Sequence, residues 1–156
     1  MDTEERKKDL LKEIDLIQTV INRMANTSFL IKGWAVTMIG LIFSFKSNPE
    51  TLPLVFIPVL LFWFLDGYFL QQERLYRKLY EWVIKNRMTD DTGLFSLNTK
   101  RFQQQGHSLV HSMFSMTLRS FYGGALVLVI VYIAFRLVWP EIAHPIPIPS
   151  TVITGN

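Results

Sequence analysis

Apolar and charged positions in this chain fall into blocks, and the periodicity changes from one block to the next. Residues 2–26 are amphipathic: Leu10, Ile14, Ile17, Ile21 and Met24 are spaced 4-3-4-3, with Leu11 and Val20 widening the stripe. That period predicts a helix with one apolar face, and Asp2, Glu4 and Glu5 in its first turn suit the helix dipole. The stripe covers too few heptads for an autonomous coiled coil, so it is expected to pack on another helix of this chain or of a second copy. A helix lying on a membrane surface, with Arg6, Lys7, Lys8 and Lys12 toward the headgroups, is the competing reading. Asn26-Thr27-Ser28 reads as a cap or swivel before the next block. Residues 29–45 are uncharged apart from Lys32, and at 1.5 Å per residue they span roughly 25 Å, the short end of a membrane crossing. Lys32 and Trp34 stand where interface anchors belong.

A polar turn over residues 46–50, including Pro49, leads to a second apolar block, 52–70, interrupted only by Asp66. Pro53 and Pro58 in its first two turns predict a kinked entry. Residues 68–88 hold neither Gly nor Pro, but their charge is dense, with Glu73/Arg77 and Glu81/Lys85 each four apart in the favourable acid-first order. The economical reading is one helix, about 55 Å long, that leaves the membrane near Gln71 and continues beyond it. The amphipathic N-terminal helix is the natural partner for its protruding half. Residues 88–106 look irregular, with a turn at Thr89-Asp90-Asp91-Thr92-Gly93, and Leu94, Phe95 and Leu97 are expected to dock onto the helices. An uncharged amphipathic stretch, 108–118, precedes a third apolar block, 120–139, broken only by Arg136. Gly123-Gly124 permits close helix approach there. Trp139-Pro140 ends the block, and residues 140–156 form an extended, Pro-rich tail.

The predicted fold is therefore all-α: an integral membrane protein with three transmembrane helices (29–45, 52–70, 120–139). An N-terminal amphipathic cytoplasmic helix (1–28) precedes them. The long second helix extends into a cytoplasmic helical region (71–119). At 156 residues this is a single domain. Charged residues are only 19% of the chain against about a quarter in a soluble globular chain, and they are segregated rather than spread. The net charge of +3 fits nucleic acid or an anionic leaflet; its placement beside the apolar blocks favours the leaflet. Six Lys/Arg precede Gly33, eight lie between the second and third blocks, and the remaining two are Lys46 and Arg136. The positive-inside rule then puts the N-terminus and the middle region in the cytoplasm and the tail outside. A cleaved secretory signal is not expected of the charged first 28 residues.

Cysteine is absent, which removes thiolate catalysis, disulfides and cysteine zinc sites. An acid inside a membrane helix is expensive and marks Asp66 as a candidate site. It either lines a polar pore or inter-subunit contact, with Glu73 and Arg77 on its helix face, or it pairs with Lys32 at the same depth of a helical hairpin. His107 and His111 share a helix face but are too few for a metal site, with no acid in the adjacent turns. Arg101 and His107 give an Arg-x5-His spacing similar to the signature of HEPN ribonucleases, whose catalysis needs paired copies of the motif. No phosphate-binding loop or Ser-His-Asp arrangement is visible. No cofactor, metal or catalytic residue is expected, and nucleic acid is not the expected partner.

Two stretches carry a resemblance: Asn22-Arg23-Met24 with Ser28-Phe29 and Lys32-Gly33-Trp34, and residues 62–70 (FWFLDGYFL) running into 73–80 (ERLYRKLY). With Leu94-Phe95-Ser96-Leu97 and Phe121-Tyr122-Gly123, the chain resembles small bacterial membrane proteins found beside antiviral defence genes. These are the accessory membrane proteins of RADAR and type VI-B CRISPR systems, and SLATT-type effectors more broadly. The resemblance implies an inner-membrane protein that assembles as a homo-oligomer and perturbs the membrane, with Asp66, Glu73, Arg74 and Arg77 as the matching positions. No fused sensor domain is expected of this chain, and the signal is expected from a soluble cytoplasmic partner or a ligand. The alternatives are a membrane anchor that recruits a soluble complex through its basic helices, and an RNA-binding or HEPN-like module.

Overall fold

A computed structural model of the chain describes residues 3–44, 53–90, 92–103 and 108–138. The polar turn at 46–50, His107 and the Pro-rich tail lie outside them. The described residues are all helical or irregular, with no strand. Three helices are long and apolar enough to cross a membrane.

Helix α1, Thr3–Ser44, runs 42 residues without interruption, roughly 63 Å at the usual rise. The expected cap or swivel at Asn26-Thr27-Ser28 does not exist. Thr27 Oγ1 donates to the Arg23 carbonyl at 2.8 Å, one turn back within the helix, and the Ser28 hydroxyl is turned sideways onto Asp66. Residues that favour caps in isolation are thus used inside a helix, because their hydroxyls find partners that do not break the ladder. The amphipathic segment and the first apolar block are consequently one rod.

A 3-10 turn at 53–55 leads into α2, Phe56–Asn86. The proline-marked entry therefore resolves as a tighter turn before the α-helix, with Pro58 in the first turn of α2, where its missing N–H costs little. The 31 residues of α2 span about 46 Å, and the helix is continuous through Asp66 and Gly67 into the charged segment, where residues 68–88 hold neither Gly nor Pro. It ends at Asn86, capped by Arg87, directly before the irregular segment, in which Gly93, Phe95 and Leu97 take positive φ and a 3-10 turn forms at Lys100–Phe102. Short helix α3, Leu109–Met113, follows, then α4, Met116–Val138. The third apolar helix thus begins four residues earlier than the block at 120–139. The uncharged stretch before it is split into α3 and the first turn of α4 by a bend at Phe114-Ser115.

α1 packs chiefly on α2, and the two run antiparallel. Two cores result. Beyond the apolar blocks, Ile17 and Ile21 of α1 meet Leu75, Leu79 and Val83 of α2, with Phe102 closing one side and Leu10, Ile14 and Leu97 packed around them. Each such fully buried aliphatic side chain contributes about 1.5–3 kcal/mol. The N-terminal stripe therefore packs within the chain, forming a two-helix stalk. Leu11 does not join it, being 65% exposed: it lies about 100° round the helix from Leu10, past the edge of the contact. Of the residues expected to dock from the irregular segment, Leu97 does so, while Phe95 faces outward.

The second core joins all three long helices through Ala35, Val59, Leu118 and Tyr122, and Phe43 stacks on Tyr132 at 4.1 Å between ring centroids. Most of the apolar surface here faces outward. Only 11%, 22% and 11% of the most apolar windows of α1, α2 and α4 are buried, the pattern of helices whose outer surface is covered by something apolar other than this chain.

Candidate functional site

The ionisable group most deeply set in the apolar helices is Asp66, and its side chain is fully shielded from solvent. Its i−4 and i+4 neighbours, Phe62 and Leu70, belong to the second core, so the helical period turns Asp66 inward with them. Lys32 of α1 reaches Asp66 Oδ2 at 2.5 Å and the Ser28 hydroxyl at 2.8 Å. Ser28, one turn before Lys32 on the same face, donates to Asp66 Oδ1. From the opposite side the Tyr122 hydroxyl of α4 lies 3.3 Å from Asp66 Oδ2 and 3.2 Å from the Phe62 carbonyl. One carboxylate therefore ties three helices together. A buried charge survives only when paired and hydrogen-bonded, and here an ammonium and two hydroxyls meet it. With its oxygens engaged and sealed from solvent, Asp66 is placed to hold helices, not to line an aqueous path through the protomer. Of the two sequence expectations, the structure realises the Lys32 pair.

Glu73 and Arg77 do not gather at this centre. They pair with one another along α2, Arg77 Nε donating to Glu73 Oε1 at 2.9 Å, an i,i+4 pair whose guanidinium is exposed while the Glu73 side chain is largely covered. Arg74 instead extends to α3, 3.4 Å from the Ser112 hydroxyl. Arg101 stacks over Trp82 at 4.3 Å from the ring centroid, a cation–π contact at the stalk tip.

Sequence reasoning missed two constellations. At the stalk tip, Glu13 and Arg87 form a bidentate pair, with Arg87 Nε and Nη2 donating to the two carboxylate oxygens at 2.6 Å each. Both side chains are almost fully buried. Arg87 Nη1 also donates to the carbonyls of Asp90 and Thr92, at 3.1 and 2.9 Å, so this guanidinium pins the turn after α2 as well as joining it to α1. Outside the pair, Asp90 accepts from the Thr92 hydroxyl and from the Thr92 N–H, bonds that hold its carboxyl below the usual carboxylate range. The signal was in the stripes themselves: Glu13 lies three residues after Leu10 and four before Ile17, and Arg87 four after Val83. Each is a charge standing in line with the apolar face.

The second missed feature is the seat of the α3–α4 bend on α2. Gly67 is where Met113 approaches: a Cβ there would lie 2.4 Å from Met113 Cγ and 3.3 Å from its Cα. Trp63 Nε1 donates to the Met113 carbonyl at 2.9 Å, while its ring meets Phe114 edge-on at 5.4 Å and Tyr122 at 6.3 Å. Trp63 thus fills the inside of the bend. Gly67 next to Asp66 was visible in the sequence, but nothing local indicated what would approach it.

Comparison with known proteins finds no matching family model, curated protein or solved structure.

Proposed function

We propose that the chain is a non-enzymatic membrane effector or accessory protein of bacterial antiphage defence. In this reading it is held in the inner membrane by three crossings and works as a homo-oligomer. In this reading the stalk stands in the cytoplasm and the tail lies outside, an orientation supported by the distribution of Lys and Arg. The observation that carries the reading is mechanical. Both stalk helices continue unbroken into the apolar region, and they are cross-tied at the tip by Glu13–Arg87 and at the membrane edge by Lys32–Asp66. A partner or signal engaging the stalk therefore moves the crossings with it, and the response is a shift in how copies pack. Three helices of one copy are too few to enclose a pore, so perturbation of the membrane falls to the assembly. The direct test is the mass of the purified protein in detergent together with ion leak from reconstituted vesicles. An oligomer with leak is expected, and a strict monomer that leaves vesicles tight would sink the reading.

A second reading is a membrane anchor whose stalk recruits a soluble complex. The sealed state of Asp66 favours it, since a carboxylate consumed inside the protomer is not available to line a conduit. In that case charge reversal on the exposed face of the stalk, at Glu81 and Lys85, abolishes capture of the partner while vesicles stay tight throughout.

A further inference from the structure

The bend between α3 and α4 places exposed apolar side chains beside cations that pair with no carboxylate among the described residues. Val110, Phe114 and Met116 are 62%, 56% and 79% exposed. Their depth is fixed, because Met113 rests on Gly67 and Trp63 holds the Met113 carbonyl. The bend therefore lies level with Trp63 to Gly67, at the edge of the apolar part of α2. Arg119, in the first turns of α4, is exposed and has no ion pair among the described residues. Among the described residues the Arg74 guanidinium meets only the Ser112 hydroxyl. The Ser115 hydroxyl is buried without a hydrogen-bond partner among the described residues. It stands at the start of α4, where a helix leaves backbone N–H groups unsatisfied and presents the positive end of its dipole.

We propose that this elbow binds an anionic phospholipid, with the phosphate taken by Arg119, Arg74 and the start of α4, and the acyl chains lying against Val110, Phe114 and Met116. The inference rests on the reading of the long helices as membrane-spanning. The elbow's apolar side chains stand at the depth where acyl chains begin, which makes lipid their cover. Two uncompensated guanidinium groups then select for headgroup charge, because a zwitterionic headgroup brings a cation of its own. Two cations near an anionic lipid correspond to roughly thirty-fold preferential binding.

Full-length protein in a non-ionic detergent, titrated with phosphatidylglycerol or phosphatidylcholine and followed by native mass spectrometry, tests this. The wild type is expected to bind phosphatidylglycerol about thirty-fold more tightly. Arg119→Gln loses much of that preference, Arg119→Lys retains it, and Arg74→Gln with Arg119→Gln removes it. Phe114→Ser with Met116→Ser weakens both lipids alike. Soluble glycerol phosphate does not compete; competition at the lipid's own concentration would make this a free-anion site and overturn the proposal. Equal binding of both lipids by the wild type, or a preference that persists in Arg119→Gln and in the double arginine variant, overturns it too. Carbonate extraction of membranes separates the two levels. Release of the protein defeats the membrane reading itself, whereas retention without lipid preference defeats this inference alone.

Discussion

Glu13→Gln removes one charge from the stalk tip and leaves every neighbouring atom nearly in place. In the wild type Arg87 is 3% and Glu13 1% exposed at the side chain, so the guanidinium in the variant faces a neutral amide with no water to compensate. Breaking one side of a buried pair costs about 3–5 kcal/mol, because an uncompensated charge is left in a low-dielectric site. The loop carbonyls of Asp90 and Thr92 still accept from Arg87, which places the expected loss near the lower figure. In a chain of this size that corresponds to a melting point lower by roughly 6–12 °C. The measurement is thermal unfolding of the full chain in detergent, followed by helical circular dichroism, with limited chymotrypsin cleavage at Phe95 to report the stalk tip. Exchanging the charges, Glu13→Arg with Arg87→Glu, is not expected to restore stability, because a glutamate at 87 cannot donate to those carbonyls. A melting point for Glu13→Gln within 2 °C of wild type, or full recovery in the exchanged pair, would refute the reasoning: the first would mean the pair is solvated, the second that the loop contacts contribute nothing.

Asp66→Asn leaves Lys32, only 20% exposed, without its counter-charge and should cost about 3 kcal/mol. Glu73→Gln leaves its partner Arg77 largely in solvent, at 60% exposed, and should cost no more than about 1 kcal/mol; thermal melts of the two variants side by side check the contrast. Ile17→Ala opens the stalk core and is expected to lose about 2–5 kcal/mol, whereas Leu11→Gln changes stability by no more than about 0.5 kcal/mol, in the same assay. Gly67→Leu cannot fit against Met113; it should lift α3 from α2 and raise protease cleavage around Phe114 while the stalk tip stays protected. Asp90 titrates below its ordinary value because of its bonds from Thr92. Its stabilising effect is therefore complete above the unfolded pKa of 3.8 and fades as the pH falls through the lower folded value. The gap in melting point between wild type and Asp90→Asn should accordingly narrow below pH 4 and stay constant above it.

Much of the architecture is legible in the sequence because period and charge act over whole helices. The unbroken run of α2 beyond Gly67 follows from the absence of Gly and Pro over residues 68–88, and the pairing of Lys32 with Asp66 from matching their depths in a hairpin. Where the sequence misleads, a side chain answers to a distant partner. Ser28 looks like a cap until Asp66, thirty-eight residues away, takes its hydroxyl. Leu11 counts as apolar but lies just past the contact edge, which only the azimuth of the packed helix decides. Glu13 and Arg87 each resemble a surface charge, and only the other's presence permits burial. The bend at Phe114-Ser115 has no breaker residue of its own; it follows from Gly67 and Trp63 on another helix.

The two ion pairs of the hairpin are opposite in sense. α1 offers an acid at the stalk tip and a base at the edge of the apolar region, while α2 offers a base and then an acid. This makes a two-letter address that reads correctly only when the helices run antiparallel in a single register. Sliding one helix by a turn would strand both pairs at once, and setting two α1 helices side by side in parallel would oppose like charges at both ends. The address does not record which molecule the second helix comes from. α1 of one copy laid on α2 of another would satisfy both pairs equally, so the pattern that forbids slippage within a hairpin permits an exchange of helices between neighbours.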